Sequence, residues 1–179
     1  MSALFSIVKR IDALNDRFAG LAQWAVLACC LISAGNAVVR YGLDYSSNAW
    51  LEIQWYLFAA CVMLGASQVL RLNEHVRVDV FYGRLSGRGK VFVDLFGLIA
   101  FLMPVVLLML WLALPLFWRT YMSGEMSGSA GGLIRWPAML MLPLGFALLA
   151  LQGLAEIAKR IGWLMHRYEM DTHYERPLQ

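Results

Sequence analysis

The sequence predicts an all-α integral membrane protein, a single domain that crosses the bilayer four times with both termini in the cytoplasm. Composition is the first ground. Of 179 residues, 60% are hydrophobic and 15% charged, with a mean hydropathy of +0.61, whereas a soluble domain carries about 25% charged residues. Segregation is the second. Uncharged runs extend over Phe18 to Val39, Ile53 to Leu70, Leu95 to Trp118 and Trp136 to Ala155, and roughly 20 residues of helix cross a hydrocarbon core of about 30 Å. Basic-residue asymmetry is the third. Of the 15 Lys and Arg residues, only Arg40, Arg119 and Arg135 fall on one side of the four runs. The richer side is cytoplasmic by the positive-inside bias. Long apolar runs are not the alternating strands of a barrel, and helices are the other way to pair every backbone group in lipid.

The elements follow in order. Residues 2–17 carry Leu4, Ile7, Val8, Ile11 and Leu14 at helical spacing, with Lys9, Arg10, Asp12 and Asp16 elsewhere on the wheel. That pattern predicts an amphipathic helix in the cytoplasmic interface. The alternative is the start of the first membrane helix, expected over 18–39. This run is longer than the apolar core of a signal peptide and ends in no small-residue cleavage site, so it reads as an uncleaved anchor. A short polar loop follows, and Trp50, Trp55 and Tyr56 open the second helix, 50–70, as interfacial aromatics. The cytoplasmic loop runs from Arg71 to Lys90, with Ser86-Gly87-Arg88-Gly89 as a turn signal. The third helix is expected over 92–118 and the fourth over 136–156, with 157–179 as a cytoplasmic tail. Pro137 suits a first helical turn, whereas Pro104, Pro115 and Pro143 are candidate kinks. The glycine- and serine-rich stretch from Ser123 to Gly132 reads as flexible.

Little in the chain points to chemistry. His75, His166 and His173 lie in cytoplasmic segments, so a bis-histidine haem within the bundle is not expected. No Walker loop, dinucleotide fingerprint or nucleophile elbow is present. Cys29, Cys30 and Cys61 lack metal spacing and read as small buried hydrophobes. No enzyme activity, cofactor or metal is therefore expected. The dispersed basic residues are a topology signal, not a nucleic-acid surface.

The informative polar groups sit at helix ends. Asn36 and Arg40 close the first helix, and Glu52 and Gln54 stand at the same depth on the second. An ionisable residue in a membrane pairs or faces a cavity. The sequence offers two readings: Arg40 pairs with Glu52, or Arg40 snorkels to solvent while Glu52 sits among headgroups. Gly35, Asn36, Gly65, Ser67 and Gln68 are candidates for close helix packing. Four helices with so few internal charges make a poor substrate path, since transporters place polar groups and broken helices near the midplane.

The run Asn36-Ala-Val-Val-Arg40-Tyr41, then Trp50-Leu-Glu52-Ile-Gln54-Trp55, Leu64-Gly65-Ala66 and His75-Val-Arg77-Val-Asp79, resembles the small permease subunit, DctQ-like, of tripartite ATP-independent periplasmic (TRAP) transporters. Gly124-Glu125-Met126-Ser127, Gly131-Gly132-Leu133, Arg135-Trp136-Pro137 and Leu142-Pro143-Leu144-Gly145 are similar to the branch labelled mannitol or chloroaromatic type. One departure is visible: many members have two consecutive acids where Glu52 is followed by Ile53. The resemblance implies an inner-membrane subunit of a three-part importer of organic acids or similar solutes, driven by an ion gradient, sodium in the family scheme. It implies a large permease subunit as heterodimer partner and a periplasmic substrate-binding protein as transient partner. His75, Arg77 and Asp79 match its cytoplasmic motif. Asp44, Tyr45, Asn48, Arg119, Tyr121, Glu125 and Arg135 are the residues available to dock the binding protein. Two other classes stay open on residues alone: a membrane anchor of a respiratory oxidoreductase, and a self-assembling small channel or exporter.

Overall fold

The computed structural model describes residues 2–45, 47–74, 82 and 85–169. It contains four helices long and apolar enough to cross a membrane: α1 (Ser2–Leu43), α2 (Asn48–Leu72), α3 (Gly87–Ser123) and α4 (Trp136–Leu164). They run alternately up and down. The chain therefore has a terminal end, where α1 starts and α4 stops, and a loop end, where 44–47 and 124–135 make the connections.

Each helix is longer than its uncharged run, because backbone hydrogen bonding does not stop at the first charge. The expected interfacial segment and first membrane helix form one helix of 42 residues with no break near residue 17. At about 1.5 Å per residue it is roughly 63 Å long, twice a hydrocarbon core. The helix α2 starts behind Ser47, whose Oγ accepts from Ala49 N. It ends at Asn73, left-handed at φ 61°, with Asn73 N and Glu74 N donating to Leu70 O and Val69 O. The Ser86 turn signal proves to be an N-cap, its Oγ accepting from Gly89 N, so α3 begins at Gly87. Likewise α4 continues past Glu156 to Leu164, taking in residues expected in the tail.

Pro137 lies in the first turn of α4, as its chemistry favours. Pro104 has a larger effect. Its ring would meet the carbonyl four residues back and it supplies no N–H. The helix answers with a π segment, Leu98–Leu102, closed by Met103 N donating to Leu98 O. Pro115 and Pro143 sit inside helices that stay continuous.

The arrangement is a trio plus one. The helices α1, α2 and α4 pack on one another, and α3 leans on α4. Of the most apolar window of α4, 39% is buried, against 11%, 17% and 17% for the other helices, which makes α4 the hub. Its Leu148 forms a core with Ala22 of α1 and Leu64 of α2, and Phe18, Ala60, Met141 and Leu144 pack around them. Small residues allow the close approach that helix pairs in lipid rely on. A Cβ on Gly145 would lie 2.6 Å from Met63 Cβ and 2.7 Å from Met63 O, so α2 packs directly on its backbone. Gly153 receives Met103 of α3 in the same way, and Gly162 receives Phe5 of α1. Gly65 faces Ala22, and Ser67 is fully buried, whereas Gly35 opens onto empty space. The three cysteines are free. Cys29 and Cys61 are half-buried and Cys30 is exposed, so Cys30 is not the buried group its surroundings suggested.

Candidate functional site

Polar side chains gather in two layers, one at each end of the bundle. On α2, Glu52 and Arg71 mark them, about 28 Å apart along the helix. Between the layers the four helices carry no Asp, Glu, Lys or Arg.

At the loop end, the organising group is Glu52, 3% exposed although it is a carboxylate near a helix start. It does not pair with Arg40, which is exposed on the outside of α1. Its partners come from the loop between α3 and α4. Glu52 Oε1 accepts from Ser127 Oγ, and Glu52 Oε2 accepts from Leu133 N at 2.7 Å. A Cβ on Gly132 would sit 2.8 Å from Glu52 Oε1 and 2.6 Å from Ser127 Cβ, so only glycine lets the loop backbone reach the carboxylate.

That loop is ordered, contrary to the flexibility its composition suggests. Ser127 N donates to Leu133 O at 2.9 Å and Arg135 N to Glu125 O at 3.0 Å, around a bridge between Met126 and Ile134. Asn48 Nδ2 donates to Ala130 O at 3.0 Å, and Tyr56 OH to Ile134 O at 3.1 Å. Glycines remove side-chain bulk there. The order comes from α2, which presents Asn48, Glu52 and Tyr56 one turn apart on one face. Gln54 points elsewhere, its Nε2 donating to Trp50 O at 2.9 Å, and its backbone carbonyl accepts from Cys29 Sγ at 3.6 Å. A cavity of about 330 Å³ lies beside this latch, lined by Glu52, Trp55, Tyr56, Ser127, Arg135 and Met139 among others.

The residues considered for docking all lie at this end. Asp44, Tyr45, Asn48, Arg119, Tyr121 and Glu125 are exposed, and Arg135 is half-exposed. Glu125 and Arg135 form an ion pair with each other. Tyr121 meets Trp136 edge-on, with ring centroids 5.7 Å apart, which ties the end of α3 to the start of α4. His75, Arg77 and Asp79 lie outside the described residues.

The terminal end holds a network that composition did not reveal. Gln152, fully buried, accepts from Asn15 Nδ2 at 2.6 Å and donates to Asp12 Oδ1 at 2.9 Å and Glu156 Oε1 at 3.0 Å. Lys159 Nζ lies 2.9 Å from Asp12 Oδ1 and 2.8 Å from Glu156 Oε1. Arg160 reaches Glu156 Oε2 at 2.6 Å and Asp94 Oδ2 at 3.2 Å, and Tyr82 OH donates to Asp94 Oδ1 at 3.0 Å. Arg71 pairs with Asp16. All four helices contribute. Asp12 and Asp16 therefore turn inward to this cluster, and Lys159 and Arg160, at 7% and 6% exposure, are core groups and not tail charges. Buried charges persist only when paired and hydrogen-bonded. The available signal was helical: Gln152, Glu156, Lys159 and Arg160 share one face of α4, and Asp12, Asn15 and Asp16 share one face of α1.

Among the described residues, no group of His, Cys, Asp and Glu is placed to hold a metal ion. The arrangement positions helices and a loop: the serine hydroxyl set on a carboxylate at the loop end, Ser127 on Glu52, serves to pin the loop. The chain matches no curated protein and no solved structure at a significant level. A family model described as tripartite ATP-independent periplasmic transporters, DctQ component, does match, over residues 29–162. It spans all of α2 and α3, most of α4 and the loop held by Glu52. That is a family of transporter subunits and not of enzymes, whose members work beside a large permease subunit and a periplasmic binding protein. With four spanning helices and a match over most of its length, the chain belongs to the DctQ family, as a multi-pass inner-membrane small subunit of a TRAP transporter.

Proposed function

We propose that this chain is a scaffold that translocates nothing itself, in a sodium-driven importer of organic acids or similar small solutes. It packs beside a large permease subunit, keeps its termini in the cytoplasm and turns its loop end to the periplasmic binding protein. The observation that carries the first part is the charge-free middle of the bundle: about 28 Å of helix separate the two polar layers, with no ionisable acid or base between them. An ion or carboxylate crossing there would have no partner, and bare charge in hydrocarbon is costly. Purified and reconstituted alone in liposomes, the chain should take up no organic acid under a sodium gradient. Sodium-dependent uptake without a second membrane subunit refutes the reading.

The ordered loop supports the docking role. A surface pinned by Glu52, Asn48 and Tyr56 presents fixed groups, which lowers the ordering cost of a transient contact. Because Glu125 and Arg135 neutralise each other, the exposed charges at this end without an ion pair among the described residues are Arg40, Asp44 and Arg119, of which Asp44 and Arg119 are the two considered for docking. Rim charges act mainly on association rate and its salt dependence. Reversing both, Arg119→Glu with Asp44→Lys, should slow uptake by the complete system at low ionic strength and leave subunit assembly intact. Wild-type uptake at every ionic strength excludes these residues from docking.

A further inference from the structure

The apolar bands of α1 and α3 lie at different heights in the bundle. Each band is the charge-free stretch of its helix, between Arg17 and Arg40 on α1 and between Asp94 and Arg119 on α3. At about 1.5 Å per residue they measure roughly 33 and 36 Å, each close to one hydrocarbon core. Their relative height is set by α4, which touches both helices. Phe5 of α1 meets Gly162 and Asn15 meets Gln152, while Asp94 of α3 meets Arg160, Met103 meets Gly153 and Tyr121 meets Trp136. These contacts put Arg10 level with Ile99 and Arg17 level with Val105. At the terminal end the α3 band therefore runs on for roughly 17 Å past the end of the α1 band.

The loop end shows the matching offset. Trp55 and Tyr56 of α2 share a cavity with Ala138 and Met139 near the start of α4, and Gln54 O accepts from Cys29 Sγ of α1. Arg119 is thus level with Cys29, and the α1 band continues for roughly 16 Å beyond it, to Arg40. Two bands of nearly equal thickness, displaced by about the same distance at both ends, describe one slanted slab. Side-chain exposure agrees. Lys9, Arg10 and Arg17 are exposed on α1 at the heights where Ile99, Phe101 and Val105 are exposed on α3. Arg119 is exposed at the height of exposed Leu27 and Leu31, and exposed Val38 lies farther out. An upright bundle cannot satisfy both helices. Levelled on α1, it would set Phe92, Phe96 and Ile99 in water; levelled on α3, it would set Arg17 deep in hydrocarbon.

The helices α1 and α3 pack on different faces of α4, one through Gln152 and Gly162, the other through Gly153 and Arg160. With about 8–10 Å between packed axes, they stand roughly 16 Å apart. A lean of about 45° levels an offset of that size, and about 30° suffices where long Arg side chains reach back to the interface. We propose that the bundle crosses the bilayer obliquely, leaning by roughly 30–45° towards its α1 side, so that the outer faces of α1 and α3 meet the same layer of lipid acyl chains. That exceeds the average of about 20° for membrane helices. The loop end consequently faces towards the α1 side and not straight out of the membrane. The lean is the same whichever end is cytoplasmic.

The test uses the full chain reconstituted in phosphatidylcholine bilayers. Polarised infrared spectra of oriented wild-type samples should give a mean helix tilt of roughly 30–45°, and a mean tilt of about 20° or less overturns the proposal. Depth is read with bimane on single cysteines, in a background lacking Cys29, Cys30 and Cys61, quenched by lipids carrying doxyl groups at two acyl depths. Two pairs of exposed positions level in the bundle are compared, Ala13→Cys with Phe101→Cys and Leu27→Cys with Trp118→Cys. Across roughly 16 Å of bundle the lean should separate each pair by about 8–11 Å in depth. Phe101→Cys should be the deeper of the first pair and Leu27→Cys the deeper of the second. Depths equal within about 3 Å, two residues of helix rise, refute the lean. That is the outcome expected if protein, and not lipid, covers the part of α3 past the α1 band. The infrared measurement needs no variant, so it stands even if a cysteine variant fails to fold.

Discussion

Gln152→Leu is the most direct probe of the terminal network. The side chain is fully buried and makes three hydrogen bonds, at 2.6, 2.9 and 3.0 Å, to Asn15, Asp12 and Glu156. Leucine nearly matches its volume, so packing is retained and the polar term is isolated. Three bonds at about 0.6 kcal/mol each, the mean found between membrane helices, give a floor of roughly 2 kcal/mol. Asn15 adds to that. Its Oδ1 already lacks a partner, so losing Gln152 leaves the whole buried amide unsatisfied, at about 1–3 kcal/mol. The expected loss is therefore about 3–5 kcal/mol, and at roughly 2–4 °C per kcal/mol the melting temperature in detergent falls by at least about 6 °C. A second arm separates network loss from general damage. Asn15→Leu in the Gln152→Leu background removes the orphaned amide, so the double variant should be more stable than the sum of the singles predicts. A melting temperature within about 1 °C of wild type, or additivity within about 0.5 kcal/mol, refutes the reasoning.

Three further outcomes follow from the geometry. Gly145→Leu forces a side chain onto the Met63 backbone, which must part α2 from α4, so it should cost more than the roughly 1–3 kcal/mol of ordinary overpacking; thermal unfolding measures it, and a neutral effect means the helices do not meet there. Glu52→Ala should unpin the loop, speeding hydrogen exchange at the Ser127 and Leu133 amides while exchange in α4 stays as in wild type; unchanged exchange at those amides shows the loop holds itself. For orientation, single cysteines at Gly128 and Arg88, in a background lacking Cys29, Cys30 and Cys61, should label from outside intact cells at 128 and not at 88. The reverse pattern overturns the proposed topology.

The spans were legible because hydrocarbon thickness dictates them: any uncharged run of about 20 residues has few alternatives to a crossing helix. Helix ends were less legible. Ser86 starts a helix and Asn73 stops one through local hydrogen bonds that a charge-to-charge boundary ignores. The candidate sites were legible only as residue types. Glu52 stood out as an acid near a span, but its partners, Ser127 and Leu133, lie 75 and 81 residues away in a loop whose composition suggests freedom. Asp12 and Lys159 were hidden in the same way, 147 residues apart. Each looks like an ordinary surface charge until tertiary packing brings them together. The π segment has a visible cause in Pro104, but the ways a helix absorbs a proline are several, and neighbouring contacts select among them.

The two polar layers and the glycine contacts have a common physical origin. Apolar side chains gain nothing by leaving lipid for one another, so a chain-internal bundle must be held by close packing and by hydrogen bonds. Close packing is available along α4, where Gly145, Gly153 and Gly162 admit one neighbour each. Strong polar ties are tolerated only near the interfaces, where Glu52 binds its loop at one end and Gln152, Glu156, Lys159 and Arg160 bind α1 and α3 at the other. The bundle is thus tied at both polar layers and by α4 between, and α3 has α4 as its main neighbour. Its outer face carries Phe92, Phe96, Phe101, Trp111 and Trp118, all more than half exposed. On the scaffold role proposed above, a bundle tied at both polar layers, with one helix presenting a broad apolar face, suits a subunit that gives its partner a fixed surface. It suits a moving part poorly, because opening either polar layer would strand buried charge.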